Sequence, residues 1–204
     1  LALREQDVTA SVAATLVTNH PFITPHELYR VKSYPGKVAD PEESKPMRRG
    51  RLLEPVAVEM MREDRPEWTI ARGQHYYRDP VVRLGATPDT LVLDERGRPG
   101  IVQIKSVDPF TFKNKWTQSD GSIEPPLWIG IQAIIEAHLT GSEWAAVAPL
   151  VVGVGIELPI ILIPIHAGVI ERINEKVTEF WTRIVEGPDY EADPVRDYRA
   201  IEAA

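Results

Sequence analysis

The chain has 204 residues, 43% hydrophobic and 26% charged, the composition of a globular protein long enough for one substantial core. It holds no cysteine, which excludes disulfide frameworks, thiolate zinc sites, iron–sulfur clusters and cysteine nucleophiles, and suits a reducing, cytoplasmic setting. The net charge of −7 argues, taken alone, against a phosphate-binding surface, which wants Lys and Arg.

No basic segment followed by an apolar run opens the chain, so no secretory signal is expected. Residues 7–17, DVTASVAATLV, predict a short helix that Thr9 or Ser11 can cap. In HPFITPHELYRVK, the order Thr24-Pro25-x-Glu27 puts Pro at the first helical position and an acid in the first turn, a helix start. YPGKVADPEESKP predicts a Pro- and charge-rich loop, mobile over residues 35–46. KPMRRGR at 45–51 is a local basic cluster. From Met47 to Arg62, Leu53, Val56, Ala57, Met60 and Met61 recur at helical spacing, with Glu54 beside that face. Pro55 marks either a first turn or a kink.

Residues 69–105 read as strands: short apolar runs separated by Gly, Pro and Asp, with DERGRPG as a hairpin turn. PLWIGIQAIIEAHLTG (126–141) predicts an apolar helix ended by Gly141, with Gln132 and Glu136 as polar exceptions one turn apart. Strands are expected at 144–153 and 156–163. The apolar run 147–165 contains Glu157 and Pro149, Pro159 and Pro164, which favours core strands over a membrane span. A last helix over 167–186 stacks Ile173, Val177, Phe180, Trp181 and Ile184 on one face. Six acids and two bases in residues 185–204 give −4, so the acidic tail, 187–204, reads as a solvated end. No internal repeat is visible. The order of elements predicts an α/β fold with a mixed sheet, in one domain over residues 1–204.

None of the five histidines falls in HExxH or another close metal spacing, and no nucleophile elbow or phosphate-binding P-loop is present. GVGIE lacks the third glycine and the following helix of a dinucleotide site. Attention falls on LGATPDTLVLDERGRPGIVQIKS. Gln103 and Lys105, two apart on a strand, share a face, and a hairpin sets Asp89 beside them. A hard divalent cation accepts Asp89, the Gln103 side-chain oxygen and the Ile104 carbonyl as ligands, and Lys105 can then hold a water. The alternative is an edge hairpin carrying solvated polar groups.

The order Pro88-Asp89, then Gln103-x-Lys105, resembles the PD-(D/E)xK nuclease core. GRLLEPVAVEMM, GATPDTLVLD, VQIKS, WIGIQAIIEAHL and VTEFWTRIVEG, with LREQDVTASVAATLV and HPFITPHELYRVK before them, resemble in order the YqaJ-type viral recombinase family, the family of phage lambda exonuclease. The likeness runs over residues 4–188. It implies a restriction-endonuclease-like mixed central β-sheet flanked by helices. It also implies a Mg²⁺-dependent exodeoxyribonuclease, with Mn²⁺ as the alternative metal, acting 5′ to 3′ on linear duplex DNA in recombination. By this resemblance Asp89 is the central metal ligand, Lys105 the catalytic lysine, Glu54 a helix acid that helps hold metal, and Gln132 a residue near the scissile or terminal phosphate. Arg4, Ser11 and Thr87 gather at the 5′-phosphate of the DNA end. The likeness further implies double-stranded DNA ends as partner, a homo-oligomer of trimeric-ring type, a single-strand annealing recombinase as co-worker, and no membrane. A ring also accommodates the acidic net charge, with bases lining the hole and acids outside. Gln103 departs from the pattern, which has a glutamate there. It is either a working neutral ligand or the mark of a weakened site, in which case the protein binds DNA ends or docks a partner. An endonuclease on the same core is the third reading.

Overall fold

A computed structural model describes residues 2–34 and 43–198. Most of the loop expected to be mobile, residues 35–42, lies outside the described residues.

The N-terminal segment differs from the single helix expected over 7–17. A short helix α1 (Ala2–Gln6) is followed by a two-residue strand β1 (Val8–Thr9), then α2 (Ala10–Ala13) and a 3-10 turn, Ala14–Leu16. The reason is competition for backbone groups: the Val8 N–H donates to Arg83 O at 2.9 Å, so this β-branched pair joins a sheet before the helix can start. Neither Thr9 nor Ser11 caps α2; their hydroxyls lie 3.1 Å apart instead.

Helix α3 (Pro25–Ser33) begins where expected, with a complete capping box between Thr24 and Glu27 and Pro25 in its first turn. Helix α4 (Lys45–Asp64) starts on a Ser44 cap and runs through Pro55, so the Arg51 carbonyl loses its usual N–H partner. Strands β2 (Thr69–Arg72), β3 (Tyr77–Asp79), β4 (Leu84–Ala86), β5 (Thr90–Leu93) and β6 (Pro99–Val107) follow. Helix α5 (Pro109–Lys115) has no counterpart in the sequence reading, although Asp108-Pro109 spells a cap and first turn; the Asp108 carboxylate accepts the Thr111 N–H at 2.9 Å. Helix α6 (Leu127–Thr140) stops at Gly141, whose φ of +69° is the left-handed turn that glycine adopts freely.

Strand β7 (Trp144–Val152) matches expectation. The second expected strand is split into β8 (Ile156–Glu157) and β9 (Ile161–Ile163), as Pro159 between them has no N–H for a ladder. Helix α7 (Ala167–Glu186) buries Ile173, Val177, Phe180 and Trp181 as the spacing predicts. Among the described residues no helix is long and apolar enough to cross a membrane.

The fold is α/β. A six-stranded mixed sheet runs β2-β5-β6-β7-β8 with β9 also on β7, and a three-stranded sheet runs β1-β4-β3. The β5–β6 and β2–β5 pairs are antiparallel and β6–β7 is parallel. Val102 and Ile104 of β6 pack with Ala57, Val58 and Met61 of α4. Ile101 and Val107 pack with Ile129, Ala133 and Ala137 of α6 on the other face. The strand period of two therefore turns Gln103 and Lys105 toward α6. The far side of α6 presses Ile131 and Ile135 against Val8, Leu28, Ile173 and Phe180. Helix α6 is thus enclosed on both sides, and each aliphatic side chain sealed there contributes roughly 1.5–3 kcal/mol.

The described part of the acidic tail, residues 187–198, is mostly exposed as expected, with one departure. Asp197 is buried, accepts the Thr24 hydroxyl and the Asp193 N–H, and so ties the tail to the start of α3. A carboxylate that finds two donors at a helix cap outweighs exposure to water.

Gly73, just after β2, donates to Asp89 O at 2.8 Å, and a Cβ there would stand 1.7 Å from the Pro88 carbonyl oxygen. Gly73→Ala must therefore push the Pro88–Asp89 backbone aside. The expected result is a loss of roughly 1–3 kcal/mol in chemical denaturation, the range for overpacking.

Candidate active site

Antiparallel pairing of Thr90 with Val102 puts Asp89 directly opposite Gln103, on the face toward α6. The Asp89 Oδ2 atom accepts the Ile104 N–H at 2.8 Å and also takes the Gln103 side-chain N–H. The same Gln103 nitrogen lies 3.3 Å from the Ile104 carbonyl oxygen. Gln103 is buried, and its Oε1 atom closes no hydrogen bond. Burial pushes the Asp89 carboxyl up to about 6; the Lys105 ammonium and the Ile104 N–H oppose this, and Glu54 adds to it.

This donor set suits a hard divalent cation. As placed, the Gln103 amide offers its positive end to the Asp89 and Ile104 oxygens, and its own oxygen is orphaned. Turned over, the amide would bring a third oxygen to the same point, a set of converging oxygens that suits a cation. Carboxylate, amide and carbonyl are the ligand types that Mg²⁺ and Mn²⁺ take. Among the described residues no cluster of three or more His, Cys, Asp or Glu could hold a metal, so one carboxylate carries the charge of the set. Glu54 reaches the region from α4 but is engaged by Arg72, Oε1 to Nη2 at 2.9 Å. The structure thus brings Glu54 within electrostatic reach of Asp89 without joining it to the Asp89–Gln103–Ile104 group.

Lys105 donates to Gln132 Oε1 at 3.0 Å, and Gln132 Nε2 donates to Glu136 Oε1 at 2.8 Å. Gln132 and Glu136 lie one turn apart on α6 and are both buried. Glu136 therefore sets which end of the Gln132 amide faces Lys105. Burial, and then the charge of Asp89, push the Glu136 carboxyl up to about 8. Its Oε2 atom is buried without a partner, consistent with a protonated oxygen.

A second group forms a cavity of about 190 Å³ lined by Arg4, Thr9, Ser11, Tyr76, Thr87, Gln132 and Glu136. Arg4 donates to the Thr87 hydroxyl at 2.9 Å. All three residues expected to gather at a phosphate, Arg4, Ser11 and Thr87, thus meet at one cavity, and Gln132 joins it to Lys105. The arrangement rests on Asp7, fully buried, which takes Arg78 through both carboxylate oxygens at 2.7 and 2.9 Å and Tyr76 Oη at 3.0 Å. Lys32 of α3 holds α1 by donating to Arg4 O at 2.7 Å.

Sequence reasoning missed Arg72, Asp7 and Tyr76, whose partners are distant in the chain. It noticed Glu136 as a polar exception on α6 without assigning it work; an acid one turn from a buried amide was the available signal.

The sequence model of the YqaJ-like viral recombinase domain matches residues 1–143. Comparison with curated proteins finds no match. Among solved structures, the alkaline exonuclease LHK-Exo from Laribacter hongkongensis, in complex with dAMP, is similar at 20% identity and a TM-score of 0.72, over 100% of this chain and 97% of that one. A phage-related exonuclease from Haemophilus somnus is similar at 10% identity and a TM-score of 0.61, over 88% of this chain and 95% of that one. The protein in a SOX–DNA complex is similar at 9% identity and a TM-score of 0.58, over 98% of this chain and 70% of that one. At these identities the likeness is one of fold, and it agrees with the mixed sheet flanked by helices.

A carboxyl whose folded pKa is raised contributes stability that is full below its ordinary value, 4.5 for Glu136, and is lost as pH rises toward about 8. Glu136→Gln keeps an acceptor for Gln132 and removes the ionisation. Thermal denaturation should show the variant melting above wild type at pH 8, with the difference shrinking toward pH 5.

Proposed function

This chain belongs to the YqaJ-like viral recombinase domain family, and from that premise we propose that it is a single nuclease domain that removes nucleotides from the 5′ ends of linear duplex DNA during recombination. One observation supports the reading above the others: strand register brings Asp89, the Gln103 amide and the Ile104 carbonyl to one point, with Lys105 on the same face.

Asp89, the Gln103 side-chain oxygen and the Ile104 carbonyl would hold Mg²⁺, with Mn²⁺ as a substitute, and Glu54 would join Asp89 on leaving Arg72. Bound there, the ion supplies Lewis-acid stabilisation of the phosphoryl oxygens and a lowered pKa for the attacking water. Lys105, held by Gln132, orients that water and offsets charge developing on the phosphate. Arg4 with the Thr87 and Ser11 hydroxyls cradles the terminal 5′-phosphate, because a guanidinium fork and hydroxyls match its oxygens. Gln132 borders both groups, so a strand end seated in the cavity presents its first linkage toward Lys105, which favours 5′-to-3′ polarity. The LHK-Exo and SOX complexes, one with dAMP and one with DNA, support a nucleic-acid substrate for this fold. A homotrimeric ring around the duplex, a single-strand annealing partner and a cytoplasmic setting belong to the same proposal by family likeness.

A second reading has one specific observation in its favour. Gln103 occupies Asp89 as a hydrogen-bond donor, and the site carries one negative charge fewer than a glutamate would give it. On that reading the protein is a weakened nuclease that binds DNA ends or docks a partner. An endonuclease on the same core is distinguished by its cutting of closed circles.

With Mg²⁺ and end-labelled linear duplex, wild type should release nucleotides and leave closed circles intact, and Asp89→Ala and Lys105→Ala should each lose about 10²-fold or more in rate. A silent wild type that gains activity on Gln103→Glu supports the weakened reading. Arg4→Ala should raise KM about tenfold on 5′-phosphorylated ends and leave 5′-hydroxyl ends nearly unaffected, the scale of one charged hydrogen bond.

A further inference from the structure

We propose that the cleft beside Lys105, walled by His20, Phe22 and Trp128, is a stacking subsite for one unpaired nucleobase of a DNA strand. The inference rests on the nuclease reading and adds to it a place for the base, where the phosphate cavity takes only the strand end.

The cleft measures about 850 Å³, within the range of pockets that enclose small ligands. Lys105 lies in its wall and Gln132 in that of the phosphate-sized cavity, and their 3.0 Å hydrogen bond joins the two. A nucleotide held at Lys105 by its phosphate therefore has the cleft within reach of its base.

The walls have the chemistry of a base platform. His20 and Phe22 each stand edge-on to Trp128, at centroid distances of 4.9 and 5.8 Å, and 5.9 Å from one another. The Lys105 ammonium lies 5.6 Å from the Trp128 ring centre. Phe22 is 79% exposed, which no core role explains, and it is positioned by its own N–H, which donates to His20 Nδ1 at 3.3 Å. His20 is buried, and burial holds its pKa below the ordinary value, with a hydrogen bond to the Ser11 backbone opposing and Lys105 and Arg196 adding. The charges fit a nucleotide as well. Lys105, Lys115 and Arg196 line the cleft, while the two acids in its walls are engaged with backbone N–H groups: Asp108 with Thr111, Asp193 with Val195 and Arg196. Aromatic faces among cations are how proteins hold unpaired bases of any sequence.

The test compares 2′-deoxyadenosine 5′-monophosphate with 2-deoxyribose 5-phosphate by titration calorimetry on the full chain, in wild type, Phe22→Ala and Phe22→Tyr. Wild type should bind the nucleotide about tenfold or more tightly than the sugar phosphate, the scale of one stacked base. Phe22→Ala should erase most of that ratio and Phe22→Tyr should keep it; Phe22 is exposed, so the fold does not rest on it, and an unchanged melting temperature checks this. Equal affinity for both probes in wild type, or a ratio untouched by Phe22→Ala, overturns the subsite. Binding needs no turnover, so a protein that stacks the base yet releases no nucleotide from duplex ends contradicts the nuclease reading alone, and one that digests ends with equal affinity for both probes contradicts the subsite alone.

Discussion

The antiparallel register between β5 and β6 is the constraint on which the site depends. It sets Asp89 opposite Gln103 and turns Lys105 toward α6. A slip of one residue would send Gln103 and Lys105 to the α4 face, into a layer built of Ala57, Val58 and Met61. The hairpin turn prevents the slip. Asp94 accepts the Arg96 and Arg98 N–H groups at 2.9 Å each and the Arg98 guanidinium at 2.8 Å, and Gly97 supplies a φ of +74°. The apolar pattern of β6 and the chemistry of its turn thus agree on one pairing.

The second constraint is the enclosure of α6. Packed against the sheet on one side and α7 on the other, the helix buries Gln132 and Glu136, which hydrogen-bond to one another, and Gln132 also accepts from Lys105. That sealing gives a lysine a fixed partner. Burial, and then the charge of Asp89, push the Glu136 carboxyl up to about 8, which limits the negative charge lining the cavity it shares with Arg4. The chain as a whole is acidic, but Arg4 lines one cavity and Lys105, Lys115 and Arg196 line the other, so local placement of cations differs from net charge.

Much of this was legible in the chain because it is local. Thr24-Pro25-x-Glu27, Gly141 and the alternation around Gln103 and Lys105 report short-range geometry that a few residues determine. Family likeness extended the reading to Glu54, Gln132, Arg4, Ser11 and Thr87; the fold brings the last four to one cavity and leaves Glu54 paired with Arg72. What escaped was long-range or competitive. β1 forms because β4 offers it partners some 75 residues away. Asp197 is buried because Thr24 needs an acceptor. Glu54 pairs with Arg72 because α4 packs against the strand β2 that carries the arginine. The inverted sense of the Gln103 amide follows from the oxygens facing it, which no local pattern encodes. Helix α5 is different: its Asp108-Pro109 start is a local signal, but its seven residues are too few to show a helical apolar period.

The central claim is that Asp89, Gln103 and the Ile104 carbonyl form one cation site. A crystal grown with Mn²⁺ and measured for anomalous scattering tests it most directly. The account predicts a peak bonded to Asp89, the Gln103 side-chain oxygen and the Ile104 carbonyl, with the Gln103 amide turned over relative to its present sense. A saturated crystal with no peak there, and Gln103 still donating to Asp89, would contradict it.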